Sequence, residues 1–287
     1  MLVFALKSPS RYQRIQENGF VRNFFRFRLD RLGELKDPGL LSSVYTSFYT
    51  SDGTSKETSW DRFIETDEFT VGFLKQNAKN VIHDVGVSSG VTSLELYRKL
   101  NQRRLDFQLY VSDKFTRYYF TGKGLLRIYN EDTTLAQAYL FGLLLDRNID
   151  WKYFLSKYAY YLVALLPKRS AGAERLCLYD LRLLSSFQQG IIHEIDYDLF
   201  RTRLDDRFDL VRCMNVLNVS YFRPAKILRA IRNLQRSLKN HGVLQIGRTN
   251  TLGRNEVSFF LKDGGNLRWI LDVNGGSEIK PLVKSLN

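Results

Sequence analysis

The sequence predicts an α/β fold with a doubly wound, mostly parallel sheet. From residue 80 onward, short apolar runs typical of strands alternate with segments of helical periodicity. Polar or glycine-containing turns follow several of these runs directly. The chain has 287 residues, of which 44% are hydrophobic, so it can bury one full core and a small accessory part.

The elements of this sheet can be read in chain order. Predicted strands cover residues 81–86, 107–112, 190–195, 207–213 and 242–247, and a terminal antiparallel hairpin covers 257–261 and 267–273. Helical periodicity marks residues 91–100 and 224–239. We expect Asn240, His241 and Gly242 to end the second helix, because glycine readily takes the left-handed conformation of a helix C-terminus.

Two parts of the chain lie outside the sheet pattern. Residues 1–75 are predicted to be a helical N-terminal extension or lid, with a helix running from Trp60 toward Lys75, in front of a main domain at 76–287. A helical insertion is predicted at about 118–180, where apolar runs at 139–145 and 151–166 would form a hairpin. This hairpin is open to three interpretations: a cap over the substrate or extra core, a peripheral membrane contact at 151–166, or a dimer face.

The protein is strongly basic. Its formal net charge is +13, which favours encounters with anionic partners without identifying one. Between Arg212 and Arg254 there are nine lysines and arginines and no acid. Residues 223–239 therefore form a basic helix, whose charges are either simply solvated or contact phosphates or a membrane surface.

Several classes of protein are disfavoured. There are two cysteines, three histidines and no CxxC motif, so we expect neither a disulfide framework nor a metal site. The first apolar run is too short for a secretory signal, and charges interrupt residues 139–166 before they reach the length of a membrane span. These features predict a cytoplasmic protein.

Candidate functional residues lie where strands end, because ligands of open parallel sheets bind beyond the carboxyl ends of the strands. The first predicted strand runs into the segment Asp84-Val-Gly-Val-Ser-Ser-Gly90 and the second into Asp113 and Lys114. Glycines at 86 and 90 would let a ligand approach the backbone, and Asp113 could accept hydrogen bonds from a ribose diol.

The glycine pattern distinguishes two kinds of nucleotide site. Dinucleotide-binding proteins use GxGxxG, whose middle glycine admits the pyrophosphate, and this chain has Ser88 at that position. An NAD-dependent oxidoreductase is therefore the weaker alternative. The Asp84-x-Gly86-x-x-x-Gly90 pattern resembles that of Rossmann-like S-adenosylmethionine-dependent methyltransferases instead.

A later segment strengthens this resemblance. The stretch at 208–222 begins Phe-Asp-Leu-Val, continues through Asn-Val-Leu to Tyr-Phe, and is followed at 238–247 by Leu-Lys-Asn-His-Gly-Val-Leu. This is similar to class I methyltransferases, and most of all to the chemotaxis-receptor type. The resemblance covers roughly residues 80–115 and 190–250.

The resemblance implies S-adenosyl-L-methionine as cofactor and assigns roles by position. Gly86 and Gly90 would flank the methionyl part, Asp113 would hold the ribose hydroxyls, and Asp198 with Leu199 would lie at the adenine. Asn215 would close the methyl-donor side. The full set of candidate cofactor contacts is Asp84, Gly86, Val87, Ser88, Gly90, Asp113, Lys114, Asp198, Leu199 and Asn215.

The implied reaction is methyl transfer by in-line displacement, in which alignment alone can contribute on the order of 7 to 11 kcal/mol. Tyr221 and Asn215 are the catalytic candidates, and of these only Tyr221 could move a proton. No Asn-Pro-Pro-Tyr segment follows the fourth strand, which favours an oxygen acceptor, a carboxylate or hydroxyl of a small or lipid-like molecule. A non-catalytic cofactor-binding or regulatory protein is the alternative from another class.

Overall fold

A computed structural model describes the chain in segments: residues 26–27, 58–114, 116–121, 125–130, 134–140, 143–145, 154–166, 174–177 and 179–286. The strands are β1 (Arg26–Phe27), β2 (Asn80–Val85), β3 (Phe107–Ser112), β4 (Arg117–Thr121), β5 (Leu125–Asn130), β6 (Leu135–Leu140), β7 (Leu143–Leu145), β8 (Glu174–Cys177), β9 (Ile192–Glu194), β10 (Phe208–Met214), β11 (Leu238–Thr249), β12 (Asn255–Asp263) and β13 (Asn266–Val273). The helices are α1 (Ile64–Gly72), α2 (Val91–Gln102), α3 (Phe154–Ala164), α4 (Leu181–Gln188), α5 (Pro224–Ser237) and α6 (Lys280–Lys284). The chain divides into two compact units, one of residues 60–114 and 179–286 and one of the remaining described residues.

The first unit contains a seven-stranded sheet in the order β13-β12-β11-β10-β2-β3-β9. Strands β9, β3, β2, β10 and β11 are parallel, and β12 and β13 run antiparallel at one edge. Numbered along the chain, the five parallel strands have the spatial order 3-2-1-4-5 of a doubly wound fold, whose direction switches between β2 and β10. The predicted sheet and its terminal hairpin are confirmed.

Alternating side chains of the strands build an apolar layer on each face of this sheet. Leu210 of β10 belongs to the layer that also holds residues of α1, α2 and α4, and its neighbour Val211 to the layer that holds residues of α5 and α6. Burial on both faces explains why β2 and β10 are rich in apolar residues in the sequence, although each also carries a buried charge, Asp84 or Arg212. Because β2 and β10 are parallel neighbours, their carboxyl ends lie at the same edge of the sheet.

The end of α5 differs from the prediction. The helix stops at Ser237, and Leu238 already begins β11, so Gly242 does not cap it. The left-handed residue is His241, with φ of +63°. Gly242 instead allows close backbone contact, since a Cβ there would lie 2.9 Å from the carbonyl oxygen of Lys239 and 3.0 Å from that of Phe208. Here the pairing of β10 with β11 shifts register, which the helical pattern could not reveal.

The second unit is a six-stranded sheet in the order β1-β7-β6-β5-β4-β8, with every pairing antiparallel. The prediction of a helical hairpin in this region is wrong for its first arm, because Tyr139 and Leu140 end β6 and Leu143–Leu145 form β7. Its second arm is α3, whose Tyr160 is buried and donates to the Leu135 carbonyl oxygen at 2.7 Å. A seven-residue apolar run is compatible with either a strand or a helix. Here pairing with neighbouring strands makes it part of the sheet.

The other predictions for these regions have mixed outcomes. Helix α1 lies within the helix predicted between Trp60 and Lys75, whereas most of residues 1–57 and Trp151 lie outside the described residues. Tyr158, Leu162 and Leu165 of α3 are exposed, so the proposed membrane or dimer contact stays a prediction. None of the described helices has both the length and the apolar character to cross a bilayer.

Candidate functional site

The turn after β2 is held in an unusual backbone conformation. Gly86, Ser88 and Gly90 have φ values of +76°, +55° and +79°. The amides of Gly86 and Val87 both donate to the Ser112 carbonyl oxygen, at 2.7 and 3.2 Å, and the Gly90 amide donates to the Val87 carbonyl oxygen at 2.8 Å. The turn is therefore bound to the end of β3 before α2 begins. The left-handed conformation of Ser88 costs free energy, because residues other than glycine rarely adopt it.

The two glycines are required by packing within the chain. A Cβ on Gly86 would lie 2.1 Å from Cγ2 of Val216, and one on Gly90 would lie 2.1 Å from Cδ2 of Leu183. The turn thus contacts the loop after β10 on one side and α4 on the other. Glycine at these positions follows from close approach and positive φ, and a ligand is not needed to explain it.

Asp113 joins the ends of β2 and β3. Its Oδ2 accepts a hydrogen bond from the Ser88 amide at 2.7 Å, and its side chain is half-buried. The next residue, Lys114, is exposed. The structure therefore brings Asp113 directly against the turn, as the sequence predicts, with the carboxylate at the edge of the sheet where the parallel strands end.

Asn215 belongs to the same region through β10 and β11. It has φ of +59°, its Oδ1 accepts from the Thr249 amide at 2.7 Å, and its own amide donates to the Gly247 carbonyl oxygen at 2.9 Å. These contacts hold the loop that carries Val216 against Gly86. Asn215 is thereby a positioning residue for the turn, and the contact with Thr249 was not visible in the sequence.

Asp198, Leu199 and Tyr221 lie elsewhere in the loops. Asp198 Oδ1 accepts from the Phe200 amide at 2.8 Å and so caps the turn after β9. The Leu199 side chain is buried in the core, and its carbonyl oxygen accepts from Asn233 Nδ2 at 2.9 Å. Tyr221 is 58% exposed in the loop before α5. The assignment of all three to the site stays a prediction.

A buried ionic group lies beneath the turn and was missed by the sequence reasoning. Arg212 is fully buried; its Nε and Nη2 contact Asp84 Oδ1 and Oδ2 at 3.0 and 2.6 Å, and its Nη1 contacts Asp67 Oδ1 at 2.6 Å. Ser93 Oγ also donates to Asp84 Oδ2, at 2.6 Å. We call Arg212, Asp67 and Asp84 the Arg212 cluster.

The Arg212 cluster changes two earlier interpretations. Arg212, one of the nine basic residues counted between positions 212 and 254, is buried and paired. Asp84, proposed as a cofactor contact, has both oxygens engaged by Arg212 and Ser93, so its evident role is to hold β2, β10 and α2 together. An arginine in the middle of an apolar strand was the available signal, since such a charge must find a buried partner.

Burial and neighbouring charge shift the pKa values of this cluster. Burial raises the pKa of Asp67 to about 6, although Arg212 lowers it, and Asp84 adds to the rise. Burial alone would lower the pKa of Arg212, but Asp67 and Asp84 outweigh it and raise that pKa. With two carboxylates and one guanidinium, the cluster carries an excess negative charge when both acids are ionised, and this repulsion adds to the larger effect of burial on the pKa of Asp67.

Two hydroxyl groups of the turn have no hydrogen-bond partner. The Oγ atoms of Ser88 and Ser89 are buried and unsatisfied. Unsatisfied buried polar atoms are rare and call for a physical reason. Among the described residues, no group of three or more histidine, cysteine, aspartate or glutamate side chains is placed to hold a metal ion.

Comparisons with known proteins find only distant likenesses. No family model and no curated protein matches the sequence. Among solved structures, the PH0226 protein from Pyrococcus horikoshii has a TM-score of 0.36 at 13% identity, covering 83% of each chain. A phosphoethanolamine N-methyltransferase from Haemonchus contortus, solved with phosphoethanolamine and S-adenosylhomocysteine, has a TM-score of 0.31 at 10% identity. The [4+2]-cyclase SpnF has a TM-score of 0.32 at 12% identity.

The extent of these likenesses is limited. The alignment covers 68% of this chain and 27% of the Haemonchus chain, and 71% of this chain and 51% of SpnF. The Rossmann-like assignment rests on the strand order of the sheet itself. The finer resemblance to chemotaxis-receptor methyltransferases finds no support in these comparisons.

Proposed function

We propose that this chain is an S-adenosylmethionine-dependent methyltransferase that acts on an oxygen atom of its acceptor. The observation that carries the proposal is the contact of the Asp113 carboxylate with the Ser88 amide, 2.7 Å apart. It joins a glycine-bounded turn to an acidic residue at the ends of two neighbouring parallel strands, beside the point where the sheet changes direction.

The residues present are compatible with this cofactor. Ser88 and Ser89 offer unsatisfied hydroxyls in the turn, and Asp113 offers a carboxylate to a diol. Close packing against Val216 and Leu183 already explains the two glycines. They are compatible with the cofactor but are not evidence for it. S-adenosylmethionine would supply an activated methyl group on sulfonium.

The chain's own part is to bind and align. Asp113 would accept hydrogen bonds from the ribose hydroxyls, and the turn at 86–90 would bound the methionyl part. Asn215, tied to the end of β11 through Thr249, would keep the loop after β10 in register with that turn. Tyr221 is 58% exposed, and it is the one catalytic candidate whose hydroxyl could relay a proton from the acceptor to solvent.

The nature of the acceptor is part of the proposal. The segment after β10 reads Asn-Val-Leu-Asn and lacks the Asn-Pro-Pro-Tyr arrangement that would favour an amine. We therefore propose a carboxylate or hydroxyl on a small or lipid-like molecule. Positioning of such an oxygen against an activated methyl carbon needs no dedicated strong base.

The test is calorimetric titration of the full chain with S-adenosylmethionine, its demethylated product and NAD. We expect the first two to bind and Asp113→Asn to weaken both by about tenfold or more, because a charged acceptor of two hydroxyls is lost. Asp106→Asn is the matched control: Asp106 is exposed and immediately precedes the same strand that Asp113 follows.

The outcomes separate the alternatives. Preferential binding of NAD would replace the proposal with an oxidoreductase. If the protein binds S-adenosylmethionine but forms no demethylated product with any acceptor tested, a non-catalytic binding protein would be favoured. Gly86→Val is a poor probe here, because its side chain would clash with Val216 whether or not a ligand binds.

A further inference from the structure

A second candidate site lies between the loop after β9 and the start of α5. A cavity of about 400 Å³ is lined there by Phe200, Arg201, Ala225, Lys226 and Arg229. None of these residues is part of the first candidate site, which consists of the turn after β2 and Asp113. The volume lies within the range of small-molecule sites, and the lining combines an apolar floor with three cations.

Phe200, which lines the cavity, packs against a second phenylalanine, Phe222. The rings of Phe200 and Phe222 have centroids 5.1 Å apart. Lys226 Nζ lies over both rings, 4.4 Å from the centroid of Phe200 and 4.3 Å from that of Phe222. The ammonium group is thus held at the cavity by aromatic faces, which reduces the entropy that it would lose on binding an anion.

The cations are poorly neutralised by the protein. Within the part of the chain that the structure describes, Lys226 and Arg229 make no ion pair, and the carboxylate of Asp198 is 3.9 Å from Arg201 Nε. The first turn of α5 contains no acid, and its N-cap residue, Arg223, makes no capping hydrogen bond through its side chain. The N-terminus of a helix carries a partial positive charge, so cations beside it are unfavourable. A bound anion would therefore stabilise this arrangement.

We propose that this cavity binds the phosphate group of an ester that carries an apolar body. Arginine and lysine side chains pair with phosphate through charge-assisted hydrogen bonds. Phe200 and Ala225 offer the apolar body a surface to cover. The source of the phosphate is either a soluble phosphate ester or the headgroup of a phospholipid, which share this chemistry. The inference is independent of methyl transfer.

The experiment titrates the full chain with phenyl phosphate and with inorganic phosphate at fixed ionic strength. We expect phenyl phosphate to bind more tightly than inorganic phosphate, because only it has an apolar body. Lys226→Met, which keeps an unbranched stem on the two rings, and Arg229→Gln should each weaken binding by about tenfold or more. Arg232→Gln is the matched control, since Arg232 is exposed on the same helix and does not line the cavity.

A second arm identifies the source. Co-sedimentation with phosphatidylglycerol vesicles that is lost in Lys226→Met and Arg229→Gln indicates a lipid headgroup; binding of phenyl phosphate without vesicle binding indicates a soluble ester. The proposal is overturned if neither probe binds, or if Arg232→Gln weakens binding as much as Arg229→Gln. Thermal unfolding of each variant shows whether the protein is still folded.

Discussion

Replacing Asp67 with asparagine should change how the stability of this protein depends on pH. Asp67 is 3% exposed and contacts Arg212, which also pairs with Asp84. Its pKa is raised from 3.8 to about 6, so the folded state binds the proton more tightly than the unfolded state does. Its contribution to stability is therefore complete below about pH 3.8 and is lost as pH rises through about 6.

The size of this effect follows from the shift. From pH 7.5 to pH 5, proton binding by Asp67 stabilises the folded wild type by about 1.4 kcal/mol, and by about 3 kcal/mol over the whole range. Asp67→Asn cannot take up this proton. The free energy of unfolding of the wild type should consequently gain about 1.4 kcal/mol relative to the variant on going from pH 7.5 to pH 5.

The assay is urea unfolding of wild type and variant at both pH values, with the difference between the proteins compared across pH. Other carboxyl groups act on both proteins and largely cancel in this difference. Asp205→Asn is the control for a lost surface carboxylate, since that side chain is 72% exposed. A difference between wild type and Asp67→Asn that stays the same at the two pH values would refute the reasoning.

Two further predictions concern the elements that position the turn. Gly86→Ala should destabilise the fold by about 1–3 kcal/mol, because its Cβ would lie 2.1 Å from Val216 Cγ2; adding Val216→Ala should recover part of this loss in urea unfolding, and no recovery would contradict the packing argument. Asp180→Ala should cost about 0.5–2 kcal/mol, because the Asp180 side chain accepts from the Arg182 amide and caps α4. Thermal unfolding of Asp180→Ala, with Asp205→Asn as the control, would measure this loss. An unchanged unfolding temperature would mean that Asp180 does not stabilise α4 as a cap.

The parallel sheet could be predicted because its signals are local. The buried strands, such as β10, are mostly apolar runs, and they are followed by turns with glycine or polar residues. Residues that follow parallel strands meet at one edge, which is why Asp113 and the turn at 86–90 could be paired in advance. The apolar run at 139–145 gave no such information, because strand and helix both accept it.

The partners of buried charge could not be predicted in the same way. Arg212 pairs with Asp67 of a helix and Asp84 of a strand, which lie 145 and 128 residues before it in the chain. Likewise, the cavity at Lys226 depends on Phe200 from the loop after β9, which the basic pattern of α5 does not indicate. Both arrangements depend on which elements become neighbours.

The sequence by itself determined the fold class and the positions of the main strands along the chain, because hydrophobic periodicity and turn chemistry act over a few residues. It also predicted the edge of the sheet at which a ligand would bind. The tertiary structure decided the roles of individual side chains. It assigned Asp84 to a buried ion pair, Gly86 to packing against Val216, and Lys226 to an aromatic-lined cavity. The physical reason is that burial and charge pairing depend on distances between elements, which sequence spacing does not contain.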